Sequence, residues 1–184
     1  MQALRQALTL RSRAFSYGRR LFHANPRLLI NVGDAIPDVE VQEGSPGNKL
    51  SIAKELPKGK ALIIGVPGAF SPGCSAIHIP GYIKHAAKLP PTYVVTVNDS
   101  FVTKAWSENL PEATKSKIRF IADPSGKFTE AMGMDVDLSA FFGNKRSKRY
   151  VIIVEDGKVK EIFTEPDNTS VNVSKAENVL PSLG

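Results

Sequence analysis

The chain of 184 residues reads as an α/β domain, a mixed central sheet flanked by helices. Three observations predict this. Short apolar runs at Ala61–Ile64, Tyr93–Val97 and Ile118–Ile121 have the length and composition of buried strands. Segments with helical spacing fill the intervals, and such alternation implies parallel pairing. A later pair of runs, Arg149–Val154 and Lys158–Phe163, flanks Asp156-Gly157. That is a hairpin signal, because glycine accepts the positive φ of a tight primed turn, and it adds antiparallel strands.

The elements follow in order. The domain opens with Val32-Gly33-Asp34-Ala35-Ile36-Pro37, and a first strand is expected around Val39–Val41. Glu43-Gly44-Ser45-Pro46-Gly47 has the composition of a turn. Beyond the run at Ala61, Ser75 to Leu89 shows helical spacing in Ile77, Tyr82, Ile83 and Ala86, with a kink expected at Pro80-Gly81. Asn98-Asp99-Ser100 is a capping context for a helix over Phe101–Asn109 that includes Trp106. The strand at Ile118 ends in Asp123-Pro124-Ser125-Gly126, Lys127–Gly133 forms a short helix, and a last helix runs from about Ser174 to Leu180. A thioredoxin-like arrangement matches this order best. No repeat, low-complexity tract or second domain interrupts it.

The composition, 42% hydrophobic and 23% charged, is that of an ordinary globular protein. The longest apolar stretches fall far short of the ~20 residues that cross a bilayer. The net charge of +6 suggests nucleic acid until it is located. Arg5, Arg11, Arg13, Arg19, Arg20 and Arg27 are the charged side chains before Asp34, so the rest of the chain holds 18 basic and 18 acidic residues. The basic character belongs to a leader. Residues 1–30 are Arg-rich, free of acid and dotted with Ser, Thr and Leu, and Leu4, Leu8 and Leu10 can share one side of a helix. This is the composition of a mitochondrial transit peptide, which predicts a matrix location for a domain over residues 31–184. Arg13-Ala14-Phe15-Ser16 and Arg20-Leu21-Phe22 both look like matrix-protease contexts. A basic arm for nucleic acid or anionic lipid is the alternative. For the domain itself neither nucleic acid nor membrane is an expected partner.

Cys74 is the only cysteine, and it closes Gly65-Val66-Pro67-Gly68-Ala69-Phe70-Ser71-Pro72-Gly73-Cys74. One thiol excludes an internal disulfide framework, and no Cys/His cluster offers a zinc site. The run joins a buried strand to a helix expected to begin at or just after the cysteine. A helix N-terminus presents unpaired N–H groups and the positive end of the dipole, and both favour thiolate, the nucleophilic form. Other loop chemistries fail residue by residue. A phosphate-binding loop wants lysine where Cys74 stands. A cysteine phosphatase wants arginine where Pro80 stands. A dithiol site wants cysteine where Ile77 stands.

What remains is Pro67-x-x-x-Ser71-x-x-Cys74, which resembles the peroxiredoxin signature Pro-x-x-x-(Thr/Ser)-x-x-Cys. His78-Ile79-Pro80-Gly81-Tyr82, Val97-Asn98-Asp99-Ser100-Phe101, Lys104-Ala105-Trp106 and the run from Phe142 to Tyr150 resemble the short fifth-type branch of that family, over about Val32 to the C-terminus. The resemblance implies roles. Cys74 would attack the terminal peroxide oxygen, Ser71 would hydrogen-bond the thiolate and a peroxide oxygen, Arg149 would hold the thiolate and polarise the O–O bond, and Pro67 would shield the pocket from water. It implies no cofactor, and a homodimer formed through the loops around the site. The charge run Lys145-Arg146-Ser147-Lys148 ahead of Arg149 is expected to be a solvated loop.

The departure from the branch is equally informative. Its best-known mammalian-type members carry a resolving cysteine after the Glu-Pro-Asp segment, whereas this chain has Val173 at that place, beyond Glu165-Pro166-Asp167. The expected activity is therefore a one-cysteine thiol peroxidase for hydrogen peroxide and small alkyl hydroperoxides, reduced by glutathione with glutaredoxin or by thioredoxin. The alternative is a peroxide-sensing redox relay that passes oxidation to a client. A non-enzymatic binding role would not require Ser71 and Arg149 together with Cys74.

Overall fold

The computed structural model describes residues 29–167 and 169–184. The expected transit segment, residues 1–30, lies outside the described residues up to position 28. The chain forms β1 (Glu40–Glu43), β2 (Ser45–Ser51), α1 (Ile52–Glu55), β3 (Lys60–Val66), a π-helical turn (Cys74–His78) running into α2 (Ile79–Lys84), and β4 (Thr92–Thr96). Then come α3 (Ser100–Asn109), β5 (Ile118–Ala122), α4 (Lys127–Ala131), β6 (Asp135–Asp137), α5 (Ser139–Phe142) and β7 (Lys145–Ser147). The hairpin β8 (Tyr150–Glu155) and β9 (Lys158–Thr164) precedes the last helix, α6 (Ala176–Val179).

A seven-stranded sheet carries the order β2-β1-β5-β4-β3-β8-β9. As the alternation predicts, β3, β4 and β5 pair in parallel. β8 pairs antiparallel with β3 and with β9, and the connecting Asp156 and Gly157 both have positive φ (50° and 78°). The architecture is thioredoxin-like, a mixed sheet with helices on both faces.

Side chains alternate across a strand, so each buried run feeds two cores. Ile63, Tyr93, Val95, Ile121 and Ile152 pack on one face with Phe128 and Met132 of the α4 region. Leu62, Ile64, Val66, Val94, Val151 and Ile153 pack on the other, against Tyr82, Trp106, Val179 and Cys74 itself. Gly65 of β3 stands opposite Tyr150, and a Cβ there would fall 2.1 Å from the tyrosine ring, so only glycine fits.

Two expectations near the start of the domain are corrected. The stretch Glu43–Gly47 is not all turn. The reversal is confined to Gly44 (φ 69°), and Ser45, Pro46 and Gly47 already belong to β2. Pro46 is tolerated because β2 is an edge strand, where a missing N–H breaks no ladder. The helix after the loop begins at Pro72, ahead of the cysteine, so Cys74 lies within its first turn and not at its tip. Pro80 supplies no N–H and its ring would crowd the carbonyl one turn back. The helix meets this by widening to π spacing over Cys74–His78, with Ile79 N–H donating to Cys74 O.

Candidate active site

Topology brings the arginine to the thiol. Residue 149 precedes Tyr150, which pairs with Gly65 near the end of β3, the strand from which the cysteine loop departs. Alternation from Tyr150 turns the Arg149 side chain toward the face that holds Cys74. Arg149 Nη1 donates to Cys74 Sγ at 3.3 Å, and both residues are buried, at 2% and 0% exposure. No ion pair joins Arg149 to a carboxylate among the described residues, and its buried Nε has no hydrogen-bond partner. An unpaired buried cation is costly, and the thiolate form of Cys74 is the anion within reach.

The loop from Pro67 to Gly73 is fixed at both ends. Asn98 Oδ1 accepts from Ala69 N–H at 3.0 Å and from Thr96 Oγ1 at 2.8 Å, which ties the loop to the end of β4. Trp106 Nε1 donates to Ser75 Oγ at 3.0 Å and steadies the first helical turn from the core side. Between these anchors Phe70 holds a positive φ of 60°, an unusual conformation for a phenylalanine. Asp99 caps α3 by accepting from the N–H groups of Phe101 and Val102, as the capping context predicts.

Ser71 differs from its expected geometry. Its hydroxyl donates to Gly68 O at 3.0 Å, a carbonyl that also accepts Ser71 N–H, and no bond joins it to Sγ. The short turn at Gly68 competes successfully for the hydroxyl proton, so donation to the thiolate requires Ser71 to exchange partners. The side chain nonetheless lines a cavity of about 450 Å³ together with Pro67, Gly73, Arg149, Leu138, Phe141 and Phe142. The cavity is largely apolar, with the guanidinium as its cation.

The apolar wall was not visible in the sequence. Leu138 to Phe142 belong to the excursion β6–α5–β7, a two-stranded sheet whose strands are three residues each. The charge run that follows is not a solvated loop. Lys145–Ser147 is β7, and Arg146 stacks 4.9 Å from the Phe142 ring while donating to Val97 O at 2.7 Å. A long amphipathic side chain thus holds the wall in place.

Residues 31–180 match the Redoxin family model. The chain is 42% identical over 160 residues to peroxisomal membrane associated protein 20 of Schizosaccharomyces pombe, covering 84% of this chain and 100% of that protein. It is 36% identical to peroxiredoxin-2B of Arabidopsis thaliana, covering 84% of this chain and 98% of the relative. The chain belongs to the peroxiredoxin family. Among solved structures, the 1-Cys peroxiredoxin antioxidant protein of Plasmodium falciparum superposes with a TM-score of 0.74 at 31% identity, covering 84% and 98% of the two chains. Peroxiredoxin 5 of Alvinella pompejana gives 0.73 at 36% identity, covering 84% and 97%. This peroxiredoxin is a thiol peroxidase with a single cysteine.

The C-terminal segment closes over the cysteine helix of this peroxiredoxin. Glu165 Oε1 accepts from Asn172 N at 2.6 Å, Ser174 N at 2.9 Å and Ser174 Oγ at 2.6 Å. Burial works against its charge, but these donors hold the Glu165 carboxyl below the ordinary range. Ser174 O in turn accepts from Tyr82 Oη–H at 2.7 Å and faces His78 Nε2 at 3.0 Å. Val173, which the resemblance puts at the place of a resolving cysteine, is 42% exposed.

Proposed function

We propose that Cys74 is the peroxidatic nucleophile of a one-cysteine peroxidase that reduces hydrogen peroxide and small alkyl hydroperoxides. One observation carries this reading, the buried Arg149 guanidinium with no carboxylate partner among the described residues and its Nη1 at 3.3 Å from Sγ. The thiolate attacks the terminal oxygen of the peroxide. The S–O bond forms as the O–O bond breaks, Cys74 becomes a sulfenic acid, and the departing oxygen takes a proton to leave as water or alcohol. Sulfur is oxidised by two electrons and the peroxide reduced by two.

Arg149 acts twice, first on the thiolate and then on the charge that moves to the leaving oxygen. Its free Nε–H is a donor available for that second role. Pro67 and the phenylalanine wall limit water beside the sulfenate. Ser71 serves as a hydroxyl at the cavity, donating to oxygen once it leaves Gly68 O.

With no second thiol in the chain, an external thiol condenses with the sulfenic acid, releasing water and forming a mixed disulfide. A second thiol attacks that disulfide and restores Cys74. Because Cys74 is fully buried, a bulky reductant reaches it only after the first helical turn opens. Glutathione with glutaredoxin is the leading reductant, and thioredoxin is second. Purified protein is expected to turn over hydrogen peroxide faster with glutathione and glutaredoxin than with thioredoxin. Fast oxidation of Cys74 with no turnover by either would replace the peroxidase with the relay reading.

Two further proposals concern its setting. A homodimer through the loops around the site is supported by exposed Phe70 and Phe141, which flank the cavity and its loop; a monomer in sedimentation at micromolar concentration would contradict it. Import into the mitochondrial matrix is supported by the six arginines and absence of acid before Asp34. A fusion of residues 1–33 to a fluorescent reporter is expected in the matrix, and its arginine-to-glutamine version in the cytosol. An unmodified fusion in the nucleus, the cytosol or peroxisomes would overturn the leader assignment.

A further inference from the structure

His78 is buried to 2% exposure at the end of the π turn and takes no part in the chemistry above. Its ring is held from both sides. Nε2 lies 3.0 Å from Ser174 O, a carbonyl that can only accept, so Nε2 carries the proton. The neutral ring then has a lone pair on Nδ1, and Arg149 Nη1 stands 3.3 Å from it. The same Nη1 stands 3.3 Å from Cys74 Sγ. Its two hydrogens are thus divided between the imidazole and the sulfur, and the direction of one fixes the direction of the other.

We infer that His78 is a positioning residue, whose Nδ1 lone pair orients the Arg149 guanidinium on the Cys74 thiolate. The inference rests on the reading of Cys74 and Arg149 given under Proposed function. Ser174 sets the tautomer, and Glu165 fixes Ser174 by accepting from both its N–H and its hydroxyl. The C-terminal segment is thereby linked to the thiol through one imidazole.

The groups facing His78 keep it in this form. Burial, then the Arg149 charge, lowers its pKa to about 3, against smaller raising effects from Ser174 O and Glu165. Tyr82 meets it edge-on, with ring centroids 5.6 Å apart. The Tyr82 phenol is itself held neutral by burial and by Glu177 and Glu165. Buried against Ser174 O and the Arg149 guanidinium, the neutral ring stays an acceptor at Nδ1, and it neither gives nor takes a proton in the cycle.

Two conservative variants separate this role from simple packing. Asparagine places its amide oxygen near the former Nδ1 and loses the bond to Ser174. Glutamine reaches Ser174 from the Nε2 position and leaves nothing for Arg149 to donate to. The experiment measures the pH dependence of alkylation of Cys74 in the full chain, beside the single-turnover rate with hydrogen peroxide and the thermal midpoint. His78→Gln is expected to lose about tenfold in both rates near neutral pH, the equivalent of one hydrogen bond, and to shift the alkylation profile to higher pH. His78→Asn is expected to stay within about threefold of the parent while melting at a lower temperature than His78→Gln. Equal losses, unchanged rates in both, or rates that follow the order of thermal stability would overturn the inference. Alkylation keeps the test separate from the peroxidase reading, because it reports on the thiol even if the parent chain consumes no peroxide.

Discussion

Cys74→Ser is expected to abolish peroxide reduction and leave the fold near that of the parent chain. No other thiol can take over, and a serine hydroxyl at neutral pH is far too weakly ionised to attack a peroxide. The substitution changes one buried atom among Val66, Ile79, Tyr82 and Trp106, so the core that surrounds it persists. Steady-state peroxide loss measured beside circular dichroism gives the result. A folded mutant that kept most of the activity would remove Cys74 from the mechanism.

Arg149→Ala is the second large effect. It removes the guanidinium that donates to Sγ and a donor aimed at the leaving oxygen, and a single such contact contributes about 10²–10³ in rate, or ~2.7–4 kcal/mol. Stability should suffer far less than rate, because the guanidinium makes no ion pair with a carboxylate among the described residues and its burial carries a desolvation cost. The variant should also alkylate more slowly at neutral pH, with the profile displaced to higher pH, since the thiolate loses its counter-charge. An alkylation profile identical to the parent's would mean that Arg149 does not act on the thiol.

Much of this was written locally in the sequence. The central strands announce themselves as short apolar runs, and Asp156-Gly157 fixes one hairpin by the backbone conformations it allows. The spacing of Pro67, Ser71 and Cys74 marks the loop, and the family resemblance it carries points to Arg149 at the head of an apolar run. What stayed hidden depends on distant partners. β2 carries Pro46 and Gly47 and is a strand only because β1 lies beside it. The cavity wall at Leu138–Phe142 is built on a two-stranded excursion too short to show periodicity, and it is held by Arg146 reaching Val97 O. The proton of Ser71 went to Gly68 O, a competition that side-chain spacing does not reveal. The role argued for His78 depends on Ser174, 96 positions away along the chain. His78 follows Cys74 by four residues, a spacing that carries no hint of which ring nitrogen faces which partner.

What one equivalent of peroxide does to the single thiol decides whether Cys74 works alone. The purified chain, treated so and read at once by intact-mass spectrometry, should gain one oxygen per monomer, located at Cys74. Adding glutathione should then convert that species to a mixed disulfide at the same residue, and excess peroxide should carry it to the sulfinic acid, because no internal thiol competes. A rapid covalent dimer through Cys74 of two chains, the main product under non-reducing conditions, would contradict a one-cysteine cycle resolved by an external thiol.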